Sequence, residues 1–220
     1  MKMFVRVCIA VMFVAAAGFC YAADGKSDAG CVYRLTLSDD SKLWLEGDST
    51  MHAFESRATV QMVDSKVLFQ SPPTNVSSLD ILKGQAEAPK LTRMVLTIPI
   101  KDMKSRTVGL AGHMNEALKY KEYPAIIFNL SSYKVEPVQA QTNQFNVSVE
   151  GSVSMAGKTN NITVTMPAVL AGSAVNVKGK KDLLMSDFGV AVPSLFFGTL
   201  KVADKIVVQW DWNITLTKED

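Results

Sequence analysis

The sequence is poor in the residues that usually carry chemistry. Its 220 residues include three cysteines and two histidines. Cys8 and Cys20 fall in an apolar leader described below, so Cys31 stands alone in the rest of the chain and no intramolecular disulfide can form there. An exported chain of this size must then take its stability from its own core. His52 and His113 belong to no HxH or HxxxH arrangement, and no CxxC is present. Zinc needs three or four ligands in close sets, so the sequence implies no metal or other cofactor, and each histidine reads as a hydrogen-bonded structural residue.

An excess of one charge is also missing. Lys and Arg number 23 against 21 Asp and Glu, and the two extra cations are Lys2 and Arg6 of the leader. With no basic stripe and no polybasic run, neither nucleic acid nor an anionic membrane surface is implied as a partner. Long apolar runs are lacking as well. Val7 to Phe19 is 13 residues, where a spanning helix needs about 20. With Lys2 and Arg6 before it and Cys20-Tyr21-Ala22 as a small-x-small cleavage site, residues 1–22 read as a secretory signal peptide rather than a stable membrane span. Residues 23–31 read as a disordered lead-in, and 32–218 as one domain. The expected location is the periplasm, or outside the cell where no outer membrane exists.

Catalytic signatures are absent too. GDSTM at 47–51 and AGSAV at 171–175 are the nearest approaches to a GxSxG elbow, and both lack the closing glycine. Gly157-Lys158-Thr159 follows Gly151 with five residues between rather than four, and leads into a strand, so it is not a phosphate loop. Glu46 and Asp48, two apart on a strand, share a face and read as the polar outside of a sheet rather than an acid–base pair. Asn75, Asn129, Asn146, Asn161 and Asn213 each begin an Asn-x-Ser/Thr triplet, and they read as solvent-facing residues. The sequence points away from an enzyme.

What the chain does have is alternation. In KIVVQWDWNITLT, from Lys205 to Thr217, Ile206, Val208, Trp210, Trp212, Ile214 and Leu216 occupy every second position. That period puts them on one face of a long strand. Strands are predicted around Tyr33–Leu37 and Phe54–Met62, then around Met94–Ile100 and Ile126–Leu130, and as a hairpin over Phe145–Met155 and Ile162–Met166. Leu184, Phe188, Val190 and Val192 continue on one face of a further strand. Turns are predicted at 38–41, 64–65, 156–158 and 178–182, and a bend or edge at Pro99. Residues 107–120 are the best helix, with Leu110, Met114 and Leu118 on one face. A short helix or a loop is expected near 78–82. Eight to ten strands with so few helices exclude alternating βαβ units, leaving an antiparallel barrel or sandwich. Outside the leader, eight methionines and fourteen aromatics supply the strand faces, which composition alone assigns to a filled core.

Three blocks carry a resemblance. They are Trp44-Leu45-Glu46-Gly47-Asp48-Ser49-Thr50-Met51-His52-Ala53-Phe54, then Gly112 to Lys119 running into Tyr123-Pro124-Ala125-Ile126-Ile127-Phe128, and Ser186-Asp187-Phe188-Gly189-Val190. In this order the chain resembles the YceI-like family over about residues 32 to 217, although Ser49 and His52 are separated and reversed relative to that family's commoner Asp-x-x-His-Ser opening. The resemblance implies an all-β fold: an extended antiparallel lipocalin-like β-barrel of about eight strands, with one or two short helices at the barrel end. It also implies a lumen for a polyisoprenoid, an isoprenoid quinone or a fatty amphiphile, for carriage or sequestration. Strand parity together with the resemblance assigns that lumen to Phe54, Leu96, Ile98, Phe128, Phe188, Trp210 and Trp212, with Met114 and Leu118 beside the mouth. The alternatives are a filled-barrel periplasmic stress-response or interaction module without a lipid ligand, and a hydrolase using His52 or His113 with a nearby serine. Whether two chains associate as a homodimer stays open.

Overall fold

The computed structural model describes residues 32–68, 90–139, 141–192, 194–195 and 200–218. The expected leader, the lead-in with Cys31 and the expected helix or loop at 78–82 lie outside the described residues. Twelve strand segments follow in order: β1 (Val32–Leu37), β2 (Lys42–Ser49), β3 (Phe54–Ala58), β4 (Gln61–Leu68), β5 (Lys90–Pro99), β6 (Lys104–Ser105), β7 (Ala125–Pro137), β8 (Gln144–Met155), β9 (Lys158–Ala171), β10 (Ala174–Leu184), β11 (Ser194–Leu195) and β12 (Leu200–Lys218). Among the described residues one α-helix, α1 (Leu110–Ala117), joins β6 to β7.

Register reduces these segments to eight staves. β1 lies along Ile214–Lys218 of β12 and β2 along Val202–Asp211, so β1 and β2 run on as one strand. β3 and β4 return along β2 and β1. β5 and β6 follow β4 and β3 in turn, interrupted by a 3-10 turn at Ile100–Asp102. β7, β8, β9, β10 and β12 complete an up-and-down meander, and the pairing of β12 with β1 and β2 closes it. The fold is the expected all-β antiparallel barrel of eight strands, a number whose interior can hold one small ligand. The loop at 50–53, α1, the turn at 156–157 and residues 185–192 gather at one end, the cap.

Two expected turns are not turns, and one strand ends early. Asp64 and Ser65 sit inside β4, opposite Val95 and Met94. The register slips there, as at a β-bulge, and the buried Ser65 hydroxyl bridges to the adjoining strand: it donates to Leu35 O at 3.0 Å and accepts from Leu35 N at 2.8 Å. Lys178–Asp182, read from its lysines as a solvated turn, is paired along its whole length with Val207–Asp211. The lysines flank Gly179, whose lack of a side chain serves packing rather than reversal, as shown below. The strand expected to run through Phe188 stops at Leu184, because Ser186–Phe188 forms a 3-10 turn. Ser186 N and Oγ both donate to the Asp204 carboxylate, at 2.8 and 2.5 Å, and Gly189 leaves the turn at φ +64°.

Other expectations are met. The 38–41 turn is an outward loop between two collinear segments, held by Asn213, which donates through Nδ2 to Asp40 Oδ2 at 2.7 Å and through its backbone N to Ser41 Oγ at 3.0 Å. Hydrogen bonds from Ser38 and Asn213 hold the Asp40 carboxyl below its ordinary value. The hairpin turn falls at Ala156-Gly157 with φ of 50° and 84°, the left-handed pair that matches strand twist. The chain bends after Pro99, where Ile100 N donates to Pro124 O at 3.0 Å. The helix is shorter than expected. It starts after Gly109 at φ +78° and ends with Lys119 at φ +53°, where Tyr120 N reaches back to Asn115 O at 2.9 Å in a Schellman closure.

One seam in the wall is incomplete. β9 pairs with β8 from Lys158 to Val169, but with β10 only through Ala168–Ala171 against Ala174–Val177. Leu170 N donates toward β8, to Asn143 O, so the alternation of a strand aims the backbone groups of odd-numbered residues at β10. The next odd residue below the paired stretch is Pro167, which has no N–H to give, and the ladder stops there.

Candidate ligand-binding lumen

Inward parity on every stave sends apolar side chains to the axis, and they collect into two clusters. The floor cluster contains Leu43, Phe145, Val164, Met166, Ala168, Val175, Val177 and Trp210, all strand residues. The cap cluster contains Ile100, Met103, Leu118, Val153, Met155, Ala156, Phe188 and Val190. A cavity of about 510 Å³ adjoins both clusters, within the range of roughly 300–1,000 Å³ for small-molecule sites. The side chains therefore leave the barrel unfilled.

Glycines keep the cavity open. A Cβ on Gly179 would stand 2.3 Å from Cζ2 of Trp210, its cross-strand partner. On Gly47 it would stand 2.3 Å from Cζ of Phe54, again the direct partner, and on Gly151 it would stand 2.4 Å from the Asn129 carbonyl oxygen and 2.5 Å from Cε2 of Phe128. At each of these places the wall is reduced to backbone so that a ring can lie on it instead of crossing the lumen. The inward parity of these glycines was available in the sequence, but the aromatic beside each depends on strand register; at Gly179 the neighbouring lysines masked even the parity.

Of the residues expected to line the lumen, Phe54, Leu96, Ile98, Phe128, Trp210 and Trp212 do so, as do Met114 and Leu118 on and just after α1. Phe188 does not. It is 2 % exposed and packs in the cap cluster, because the 3-10 turn carries it off the strand face from which its parity was counted. Sequence reasoning passed over Leu43, Val153, Val164 and Met166, which line the same cavity from alternating positions of β2, β8 and β9. The Trp210 and Trp212 rings lie 5.6 Å apart at 30°, and among the described residues neither buried indole N–H has a hydrogen-bond partner. An unpaired buried donor costs roughly 1–3 kcal/mol, so the floor is not the arrangement that stability alone would select.

Polar groups on the lining are few: Ser49, His52, Ser56, Thr107, His113 and Lys181. Ser49 Oγ donates to the His52 backbone carbonyl at 2.7 Å, and the His52 ring lies 3.1 Å from Ala53 O through Nδ1. The hydroxyl thus bonds to the main chain rather than to imidazole, unlike a nucleophile–base pair. His113 Nδ1 lies 3.9 Å from Glu116 on the same helix. Among the described residues, no group of three or more His, Cys, Asp or Glu side chains could hold a metal, and no helix is long and apolar enough to cross a membrane. Outside the barrel, Asp211 accepts from Asn176 Nδ2 at 2.8 Å and from Lys178 Nζ at 2.9 Å, and these bonds hold its carboxyl below the ordinary value.

Residues 40–214 match the YceI-like domain. The chain belongs to the YceI-like family. In fold it is similar to the crystal structure of BcnA from Burkholderia cenocepacia, at 17 % identity and a TM-score of 0.54, with 80 % of this chain and 96 % of that one covered. It is similar also to a polyisoprenoid-binding domain from Saccharophagus degradans implicated in plant cell wall breakdown, at 11 % identity and a TM-score of 0.52, covering 84 % and 98 %. At these identities the two structures support this YceI-like chain's fold. No curated protein matches it.

Proposed function

We infer that this YceI-like protein is an exported carrier or sequestering protein that holds one polyisoprenoid or similar amphiphile in its barrel lumen. The observation that carries the reading is the cavity of about 510 Å³, whose lining is apolar but for a handful of groups and whose wall is thinned to glycine beneath three aromatic rings. Burial of an apolar chain stabilises a complex by about 0.8 kcal/mol per CH₂, so three or four isoprene units supply enough to offset the cost of association. No catalytic group is needed for this. The polyisoprenoid-binding domain from Saccharophagus degradans shares the fold, and supports the choice of ligand class. Isoprenoid quinones and fatty amphiphiles combine the same apolar body with a small polar head and belong to the same test. Residues 1–22, read as a signal peptide, support export to the periplasm, or outside the cell where no outer membrane exists.

Mass spectrometry of organic extracts from gently purified protein is the direct test. The expected result is one co-purifying lipid in near-stoichiometric amount, or uptake of added prenyl lipid with a change in tryptophan emission from Trp210 and Trp212. Protein that neither retains nor takes up any lipid would refute the reading.

A further inference from the structure

The unpaired stretch between β9 and β10 borders the lumen and has its own chemistry. Farther along the gap, toward the cap, a surface groove of about 810 Å³ is bordered by Asn160, Thr163, Asp182, Asp187 and Lys205. Ile162, Lys181 and Leu183 border both this space and the lumen, so these three side chains form the partition between the two. Lys181 shares inward parity with Val175, Val177 and Gly179. Among the described residues, it is the one Lys, Arg, Asp or Glu on the lumen lining.

Its ammonium spans the gap and donates to Thr163 O at 3.1 Å, replacing one rung of the missing ladder. That uses one of three N–H donors. No ion pair to Lys181 occurs among the described residues. The nearby acid Asp182 points outward and is paired with Lys205 at 2.6 Å. Asp187, on the 3-10 turn, is the remaining carboxylate bordering the gap.

We propose that Lys181 holds the head group of the bound amphiphile, and that this head is a small anion, a phosphate monoester or a carboxylate, seated in the β9–β10 gap with its chain in the lumen. The proposal rests on the lumen reading above and adds the class of head group. A lysine facing an apolar cavity adds nothing to the burial of a hydrocarbon, and it would weaken binding of a chain that had to pass it without a partner. An anion accepts its free donors in short, charge-assisted hydrogen bonds. The gap supplies the space that a charged head needs.

Farnesyl phosphate and farnesol, which share one chain and differ in the head, separate the possibilities in calorimetric titrations of the purified protein. Farnesyl phosphate is expected to bind about tenfold more tightly, the effect of one charge-assisted hydrogen bond at a partly exposed site. Lys181→Met should bring the ratio of the two affinities to about one, and Lys181→Arg should restore the preference. Asp187→Asn should raise it. Excess inorganic phosphate should not displace farnesyl phosphate; displacement would mean a free-anion site and would overturn the amphiphile assignment. Equal affinities in the wild type, or an unchanged ratio in Lys181→Met, would overturn the role of Lys181 while leaving the lumen reading intact. Binding of neither compound would overturn both.

Discussion

The floor and the cap of this barrel use the same apolar side chains on different supports. The floor is strand on strand: Phe145, Ala168, Val177 and Trp210 come from β8, β9, β10 and β12, and hydrogen bonds tie each of these strands to its neighbours. The cap is assembled mostly from pieces between strands: Ile100 from one 3-10 turn, Phe188 from another, Ala156 from a hairpin turn and Leu118 from the end of α1, with Val153 and Met155 added by the end of β8. α1 itself buries no residue. A floor of this kind opens only if the sheet unfolds. A cap of separate pieces can open piecewise, because local opening is cheapest where backbone pairing is sparse. The difference makes the floor the fixed end of the lumen and the cap the end that yields.

Removing a side chain that pins the cap is the strongest challenge to that contrast. Phe188 is almost wholly buried, so Phe188→Ala is expected to cost about 3–5 kcal/mol in urea unfolding. Phe54→Ala should cost less, because Phe54 is only half-buried and faces the cavity. If both cost the same, Phe188 is not a keystone, and the cap is held by something other than its apolar cluster.

Gly179→Val strikes the floor instead. Its new Cβ would fall at 2.3 Å from the Trp210 ring, so the indole must swing into the lumen or the strands must part. Overpacking of this kind costs about 1–3 kcal/mol. The sharper readout is ligand uptake, which should fall by at least tenfold while the unfolding transition stays cooperative. Retained uptake would show that the glycine is not what keeps the ring against the wall.

The same residues show where reading the sequence succeeded and where it failed. Period-two alternation placed the inward faces of β5, β7, β8, β9 and β12 correctly, because a buried face over a polar one leaves its mark on each pair of neighbours. It failed where a local feature broke the count. A 3-10 turn between Leu184 and Phe188 moved Phe188 from the lumen to the cap. A register slip after Met62 made a strand resemble a turn. Lysines around Gly179 looked like a loop, although Lys178 and Lys180 point to water from a strand paired along its whole length with β12. The cavity itself was not legible, because a filled and an open barrel share the same alternation; the glycine–aromatic pairs distinguish them only once the register is known.

A milder change probes the unequal edges of β9 at the rim of the floor. Pro167→Thr returns an N–H facing β10 at the point where pairing ends. The β9–β10 ladder should then lengthen, and amides of β10 beyond Val177 should exchange more slowly. The expected gain is about one hydrogen bond, roughly 0.5–1.5 kcal/mol. Unchanged exchange would assign the seam to something other than the proline, such as the seating of the Trp210 ring over Gly179.

The smallest expected effect belongs to the outer side of the floor. Asp211 lies between Trp210 and Trp212 in sequence and points to the exterior, where Asn176 first and Lys178 second favour its charged form. Its folded-state value lies below the ordinary 3.8. The bonds therefore contribute stability that is present above the unfolded value, and that stability is lost as the pH falls through the lower folded one. The Lys178 side chain is largely exposed, so solvent screens the pair and the contribution should be only about 0.2–1 kcal/mol. Asp211→Asn should lower stability by that amount at neutral pH. The gap from wild type should close on acidification below about pH 4 and shrink in high salt. Urea midpoints at both pH values, with and without salt, measure this. A gap that persists at low pH would mean that Asp211 steadies the floor through packing rather than charge.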